Sequence, residues 1–243
     1  MKKDKKKRIR VHLKLKPILI LSFFILSMSL FFYYLMELPI KNIYINGATY
    51  LKDKEIIELL EIKDYPKLFK YTTKSLEKKL KNLELVSDVK ISKYLNGTLK
   101  IKIQEARPLF YNRSDYCYVL SNGQTTNSYD FSGIPFLVNY VPNQIMERFI
   151  KELERVSNEN LMLISEIEYA PSRSGEIVID DTRFLLRMND GNEVYINLIN
   201  IDRLNTYPLI YSLFDEKGIL ELDSDNERVV FRSYKSIEEN RRE

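Results

Sequence analysis

The stretch LPIKNIYINGATYLKDKEIIELLEI, residues 38–62, decides how the rest of the chain is read. Ile43 and Ile45 flank Tyr44 in the alternation of a half-buried strand, Asn46-Gly47 supplies a turn, and Ile56, Leu59 and Leu60 recur at helical spacing. TTKSLEKKLKNLELV (72–86) repeats that spacing with Leu76, Leu80 and Leu83, and Thr72 or Thr73 is placed to cap it. SDVKISKYL and TLKIKIQEA then flank Asn96-Gly97, a strong two-residue hairpin signal. Leu99, Ile101 and Ile103 alternate with Lys100, Lys102 and Gln104, which makes one sheet face apolar and the other wet. The order is strand, helix, helix, strand, strand, with two helices to cover the apolar face.

This unit begins against a long apolar segment. Residues 17–36, PILILSFFILSMSLFFYYLM, carry no charge and lie between Lys16 and Glu37. As a helix they would rise about 30 Å, the thickness of a bilayer's hydrocarbon core. Tyr33 and Tyr34 stand at the far end, where amphipathic rings favour the interface. The run is longer than a signal-peptide core, and YYLMELPI offers no small-x-small cleavage site. Residues 1–16 hold nine Lys or Arg and one acid, Asp4, whereas residues 37–52 hold only Lys41 and Lys52. The positive-inside rule leaves the N-terminus in the cytoplasm and exports the chain after residue 37.

The whole chain has 38 basic and 34 acidic residues. Removing the tail's nine and one leaves 29 and 33, so the exported part is acidic by about four charges. That argues against a nucleic-acid platform, and the basic run beside the anchor suits anionic lipid and topology. The single cysteine, Cys117 in YCYVL, excludes an intrachain disulfide and reads as a small core residue.

The only histidine, His12, lies in the tail, so the exported part has no histidine base, triad or zinc ligand. The acid cluster DSDNE (223–227) lacks calcium-hand spacing, and the seven glycines form no phosphate loop. Ser-x-x-Lys occurs at Ser75/Lys78 and Ser87/Lys90, without the Lys-Thr-Gly element a penicillin-recognising enzyme needs. Paired carboxylates are unavoidable with so many acids and do not by themselves mark glycoside cleavage. No catalytic, cofactor or metal site is expected, and no small-molecule substrate.

The strand-helix-helix-strand-strand unit opened by IKNIYINGATYLKDKEI resembles a POTRA domain. Directly after one anchor, and closed by IKIQEARPLF, it resembles the bacterial cell-division family FtsQ/DivIB. Ile43, Ile45, Gly47, Glu55 and Ile56 match the family's strand-Gly-loop-helix pattern, and Glu105 and Pro108 its exit. The resemblance continues into a β-rich part through Asn122-Gly123 and Ile134-Pro135-Phe136-Leu137. NQIMERFIKELERV aligns Ile145, Phe149, Leu153 and Val156 on one helix face, and strands are expected near 162–170, 176–180, 183–188 and 193–198. A helix near 201–215 contains Pro208, so it should break or start late, with Asn205 as cap. GILELDS and ERVVFRSY close the fold, and KSIEENRRE should fray. The family's Asp-x-Arg is replaced here by Glu221-Leu222-Asp223.

The expected architecture is α+β: a basic cytoplasmic tail (1–16), a transmembrane helix (17–36), a POTRA-like domain (38–108), a mixed β domain with covering helices (109–234) and a disordered tail (235–243). The resemblance implies a noncatalytic bitopic scaffold at the division septum, gathering FtsL-like and FtsB/DivIC-like single-pass partners. The competing reading is a membrane-anchored cell-wall hydrolase or transferase. A POTRA protein of outer-membrane assembly would need repeated units or a large barrel. The resemblance also puts the partner contact on the last strand, by strand addition, which nominates Arg228, Val229, Val230, Phe231, Arg232, Ser233 and Tyr234.

Overall fold

A computed structural model describes residues 15–224 and 228–241. The basic tail expected over 1–16 therefore lies almost wholly outside the described residues, as do three residues of the acid cluster.

The chain opens with α1 (Leu15–Glu37). Residues Lys16–Glu37 are long and apolar enough to cross a membrane, and none of that stretch is buried against protein. A helix with large apolar side chains exposed all round is matched to lipid rather than to a folded core. Next come β1 (Asn42–Asn46), α2 (Asp53–Leu59), α3 (Thr73–Lys81), β2 (Val86–Tyr94) and β3 (Thr98–Glu105). After these come β4 (Pro108–Asn112), β5 (Cys117–Leu120), β6 (Thr125–Thr126), β7 (Phe136–Leu137), α4 (Asn143–Leu153) and α5 (Asn158–Leu161). The strands β8 (Ile164–Tyr169), β9 (Ser172–Ser174), β10 (Ile177–Asp180), β11 (Arg183–Met188) and β12 (Glu193–Asn197) lead into a 3-10 turn, Ile201–Thr206. The described chain ends with α6 (Tyr207–Tyr211), β13 (Gly218–Glu221), β14 (Val230–Ser233) and α7 (Tyr234–Asn240). It divides into two compact units, Met1–Leu80 with Val89–Ile103 and Lys81–Asp88 with Gln104–Glu243.

The first unit is an α+β module on a three-stranded sheet of order β1-β3-β2, β1 running parallel to β3. Leu99, Ile101 and Ile103 are buried while Lys100, Lys102 and Gln104 are exposed, as the alternation requires. Ile56, Leu76 and Leu80 present the helices' apolar sides and are buried as well. Thr72 is the cap of α3, its Oγ1 accepting from the Ser75 N–H at 3.1 Å. Two details depart from the sequence reading. α3 stops at Lys81, so Leu83 lies beyond it. The hairpin turn has three residues, because Gly97 takes φ +84° and its N–H returns to the Tyr94 carbonyl at 3.0 Å. Gly47 has φ +88°, and a Cβ there would lie 2.1 Å from the Ile103 carbonyl oxygen, so the turn admits only glycine.

The second unit is a nine-stranded sheet of order β14-β13-β12-β11-β8-β7-β4-β5-β6. Most neighbours are antiparallel, but β4–β7, β7–β8 and β12–β13 are parallel, and β9–β10 form a separate ribbon. α4 lies over this sheet with Ile145, Phe149 and Leu153 buried, and Val156 is buried just beyond it. Phe149 stacks on Phe184 with ring centroids 4.1 Å apart and reaches Phe110 at 5.7 Å. Arg107 donates to the carbonyls of Leu153 and Val156, both at 2.8 Å, and so holds the end of the helix. Cys117 is a buried free thiol in this core.

Three further details of this unit differ from expectation. Pro208 falls in the first turn of α6, which starts late as expected, but Thr206 rather than Asn205 precedes it. Asn205 instead accepts from the Ser157 N–H and donates to the Arg155 carbonyl, both at 2.8 Å. The short helix α5 precedes β8, which begins at Ile164. Finally, residues 235–240 of the expected frayed end belong to α7, which begins at Tyr234, because Ser233 caps it by accepting from the Ser236 N–H at 3.2 Å. No residue of α7 is buried.

Candidate partner-binding site

The nominated residues cluster at one end of the nine-stranded sheet. Val230–Ser233 form β14, Arg228 and Val229 lead into it, and Tyr234 opens α7. β14 pairs antiparallel with β13 in the register Glu221↔Val230, Leu220↔Phe231, Ile219↔Arg232 and Gly218↔Ser233. Among the described residues nothing pairs with its other side.

The register decides which backbone groups are free. The Tyr234 N–H donates to the Lys217 carbonyl at 3.1 Å, continuing the same register by one pair. In an antiparallel ladder the groups alternate in direction, so Val230 and Arg232 point theirs to β13. Phe231 and Ser233 direct theirs outward. Ser233 is already engaged with α7, its carbonyl accepting from the Ser236 hydroxyl at 2.9 Å. The open part of the edge is thus short and centred on Phe231.

The side chains divide the same way. Phe231 lies opposite the buried Leu220 and stacks on Phe214 with centroids 4.0 Å apart, so it holds the strand to the core. Val229 and Val230 remain 39% and 41% exposed, large for β-branched residues beside an open edge. Arg232 is paired with Glu221 on the neighbouring strand. The Tyr234 hydroxyl donates to the Gly191 carbonyl at 3.4 Å, and burial pushes that phenol up. Beside the strand, Val229 lines a groove with Ile199, Asn200, Arg203 and Ile210. Among the described residues the Asn200 Nδ2, buried there, has no hydrogen-bond partner. Ile199, Leu209 and Leu213 add exposed apolar surface on the neighbouring turn and helix.

The edge rests on a polar frame that the sequence reading missed. Tyr207 donates to Asp190 at 2.7 Å and accepts from Asn192 at 3.1 Å, and Asn192 accepts from the Gly218 N–H at 3.0 Å. Asp223, in place of the family's Asp-x-Arg, pairs with Arg183 at 2.5 Å, and Arg183 lies over the Tyr195 ring. These partners are 12 to 40 residues apart in sequence, which is why no local motif announces them. What the arrangement can do chemically is bind: it offers main-chain groups, β-branched surface and a groove.

Residues 38–106 match the family described as POTRA domain, FtsQ-type, so the first unit defines a POTRA-type protein. The cell division protein DivIB of Bacillus subtilis is 32% identical over 213 residues, 84% of this chain and 79% of that protein. DivIB of Geobacillus kaustophilus is 27% identical over 228 residues, 90% and 85% of the two chains. A solved structure, the major extracytoplasmic domain of the trans isomer of DivIB from Geobacillus stearothermophilus, matches with a TM-score of 0.36 at 27% identity, covering 46% of this chain and 96% of that one. The chain belongs to the FtsQ/DivIB family of bacterial cell-division proteins. It has a division-related role, and its family is one of division proteins rather than of enzymes.

Proposed function

We propose that this protein is a noncatalytic bitopic scaffold of the division machinery, gathering FtsL-like and FtsB/DivIC-like membrane partners at the septum. The single observation that carries the reading is the open β14 edge, with exposed Val229 and Val230, in a member of a division family. A partner strand added to that edge gains main-chain hydrogen bonds, while alternate side chains give specificity. Arg228, Arg232 and Tyr234 stand at the rim of such a contact. In this reading α1 spans the membrane with its N-terminus inside. Partners held in the same membrane then meet at a raised effective concentration without extra contacts.

The test is a fluorescent fusion in dividing cells, followed by protease treatment of intact spheroplasts. The scaffold reading expects a ring at midcell, with residues after about 37 digested and the tail spared. Envelope-wide fluorescence, or protection of the residues after α1, contradicts it.

A further inference from the structure

We propose that the membrane-proximal end of the POTRA unit docks onto anionic phospholipid of the leaflet from which α1 emerges, through the α2–α3 loop and the β2–β3 turn. The inference rests on the reading of α1 as a membrane span and adds a second attachment to it.

Both loops are tied to the end of α1 or to the first residues after it. Glu37 pairs with Lys67 at 2.5 Å, the Leu68 N–H donates to the Leu38 carbonyl at 2.6 Å, and the Ile40 N–H donates to the Pro66 carbonyl at 3.0 Å. On the other side the N–H groups of Lys41 and Asn42 donate to the Gly97 carbonyl at 2.7 and 3.3 Å. A span ending at Met36 leaves Glu37 at the edge of the hydrocarbon. The headgroup layer adds only about 5–8 Å on each side, so loops bonded to residues 38–42 lie within or against it.

The residues these loops expose suit that layer. Tyr65 and Leu95 are 59% and 62% exposed and Phe69 is 38% exposed, an unusual set of large apolar groups to leave in water together. Lys63, Lys67 and Lys70 are interleaved with them, with Asp64 the one acid between Ile62 and Glu77. Aromatic rings at headgroup depth with lysines beside them are the composition of an interfacial anchor. The loop is also held in shape. Lys93 reaches it from β2 and donates to the carbonyls of Leu68, at 2.6 Å, and Tyr71, while Tyr71 donates to Glu61 at 3.0 Å. Tyr65 itself sits at φ +50°, a left-handed conformation that a bulky side chain rarely adopts.

The chain contains no tryptophan, so a single introduced indole reports its own surroundings. The full-length protein, carrying one of Phe24→Trp, Phe69→Trp, Leu95→Trp or Leu213→Trp, would be placed in nanodiscs containing brominated lipid, with and without phosphatidylglycerol. The proposal expects Trp at 69 and 95 to be quenched by bromines near the headgroups, more strongly with phosphatidylglycerol, and Trp at 213 to be unaffected. Lys63→Glu with Lys70→Glu should reverse the gain, since each basic residue near an anionic surface contributes about five-fold to the local equilibrium. Quenching at 24 without quenching at 69 and 95 overturns the docking and assigns the exposed set to a protein partner. No quenching at 24 by bromines deep in the acyl chains removes the membrane span and the docking with it. Equal quenching at 69 and 95 in both lipids, unmoved by the lysine substitutions, overturns the anionic selectivity.

Discussion

Replacing Ile101 by Asp should unfold the POTRA unit, with a loss on the order of 4–5 kcal/mol. Ile101 is fully buried in the middle of β3, the central strand of its sheet, paired with Ile45 on β1. No described hydrogen bond or ion pair reaches that position to satisfy a carboxylate, so the group must either stay charged without a partner or take up a proton and remain unsatisfied. A unit of about 70 residues has a total stability of roughly 4–10 kcal/mol, so the change removes much or all of it. Lys102→Asp places the same group one residue on, on the exposed face, and should alter stability by no more than about 0.5 kcal/mol. Hydrogen exchange across residues 98–105 in the full-length protein checks the pair. Loss of protection for Ile101→Asp but not for Lys102→Asp is expected, and retained protection in the first variant contradicts the packing described.

Phe149→Ala should cost the second unit about 3–5 kcal/mol. Phe149 is fully buried and joins α4 to two separated strands, through Phe184 on β11 and Phe110 on β4. Truncation forfeits the transfer of the ring from water and leaves a cavity that the rigid sheet can collapse only in part. The stack with Phe184 adds about 0.5–1.5 kcal/mol of its own. Phe149→Leu keeps most of the apolar volume and should lose less. Chemical denaturation followed through residues of the nine-stranded sheet measures the effect, and a loss under about 1 kcal/mol for the alanine variant would mean that α4 is not fastened where the geometry puts it.

The elements that proved legible in the sequence are those built from local periodicity. Ile145, Phe149, Leu153 and Val156 read as one helix face and are all buried. Leu99, Ile101 and Ile103 read as the inner face of a strand and are buried too. Tight turns were legible in kind, since Gly47 and Gly97 take positive φ, but not in length, because a glycine marks the left-handed position without fixing how many residues precede it. The parallel pairings were not legible. β12 and β13 are joined through a 3-10 turn and a helix, and β7 is a two-residue strand inserted between β4 and β8. Such pairings depend on contacts between residues far apart in sequence, which no window of periodicity contains. α7 was missed because a serine cap followed by charged residues also reads as a frayed end, and with no buried face it carries no apolar stripe.

For the candidate site, the position of the last strand was legible, and the partners its side chains take within the fold were not. Phe231 is nominated from sequence as a contact residue, and its half-buried ring stacks on Phe214. Arg232, nominated for the rim of the contact, pairs with Glu221, the diagonal neighbour of its register partner Ile219. Those facts move the expected contact toward Val229, Val230 and the outward backbone of Phe231.

Val230 gives the most direct measurement of the proposed scaffold role. It is exposed, directs its own N–H and C=O to β13, and leaves the core untouched when substituted. The affinity of the full-length protein for a purified FtsB/DivIC-like partner, both in nanodiscs, should fall at least about ten-fold for Val230→Asp, since a charge on an open strand edge blocks strand addition. The thermal transition should stay within a few degrees of the parent's. Unchanged affinity for Val230→Asp would contradict the account and move the partner surface away from β14.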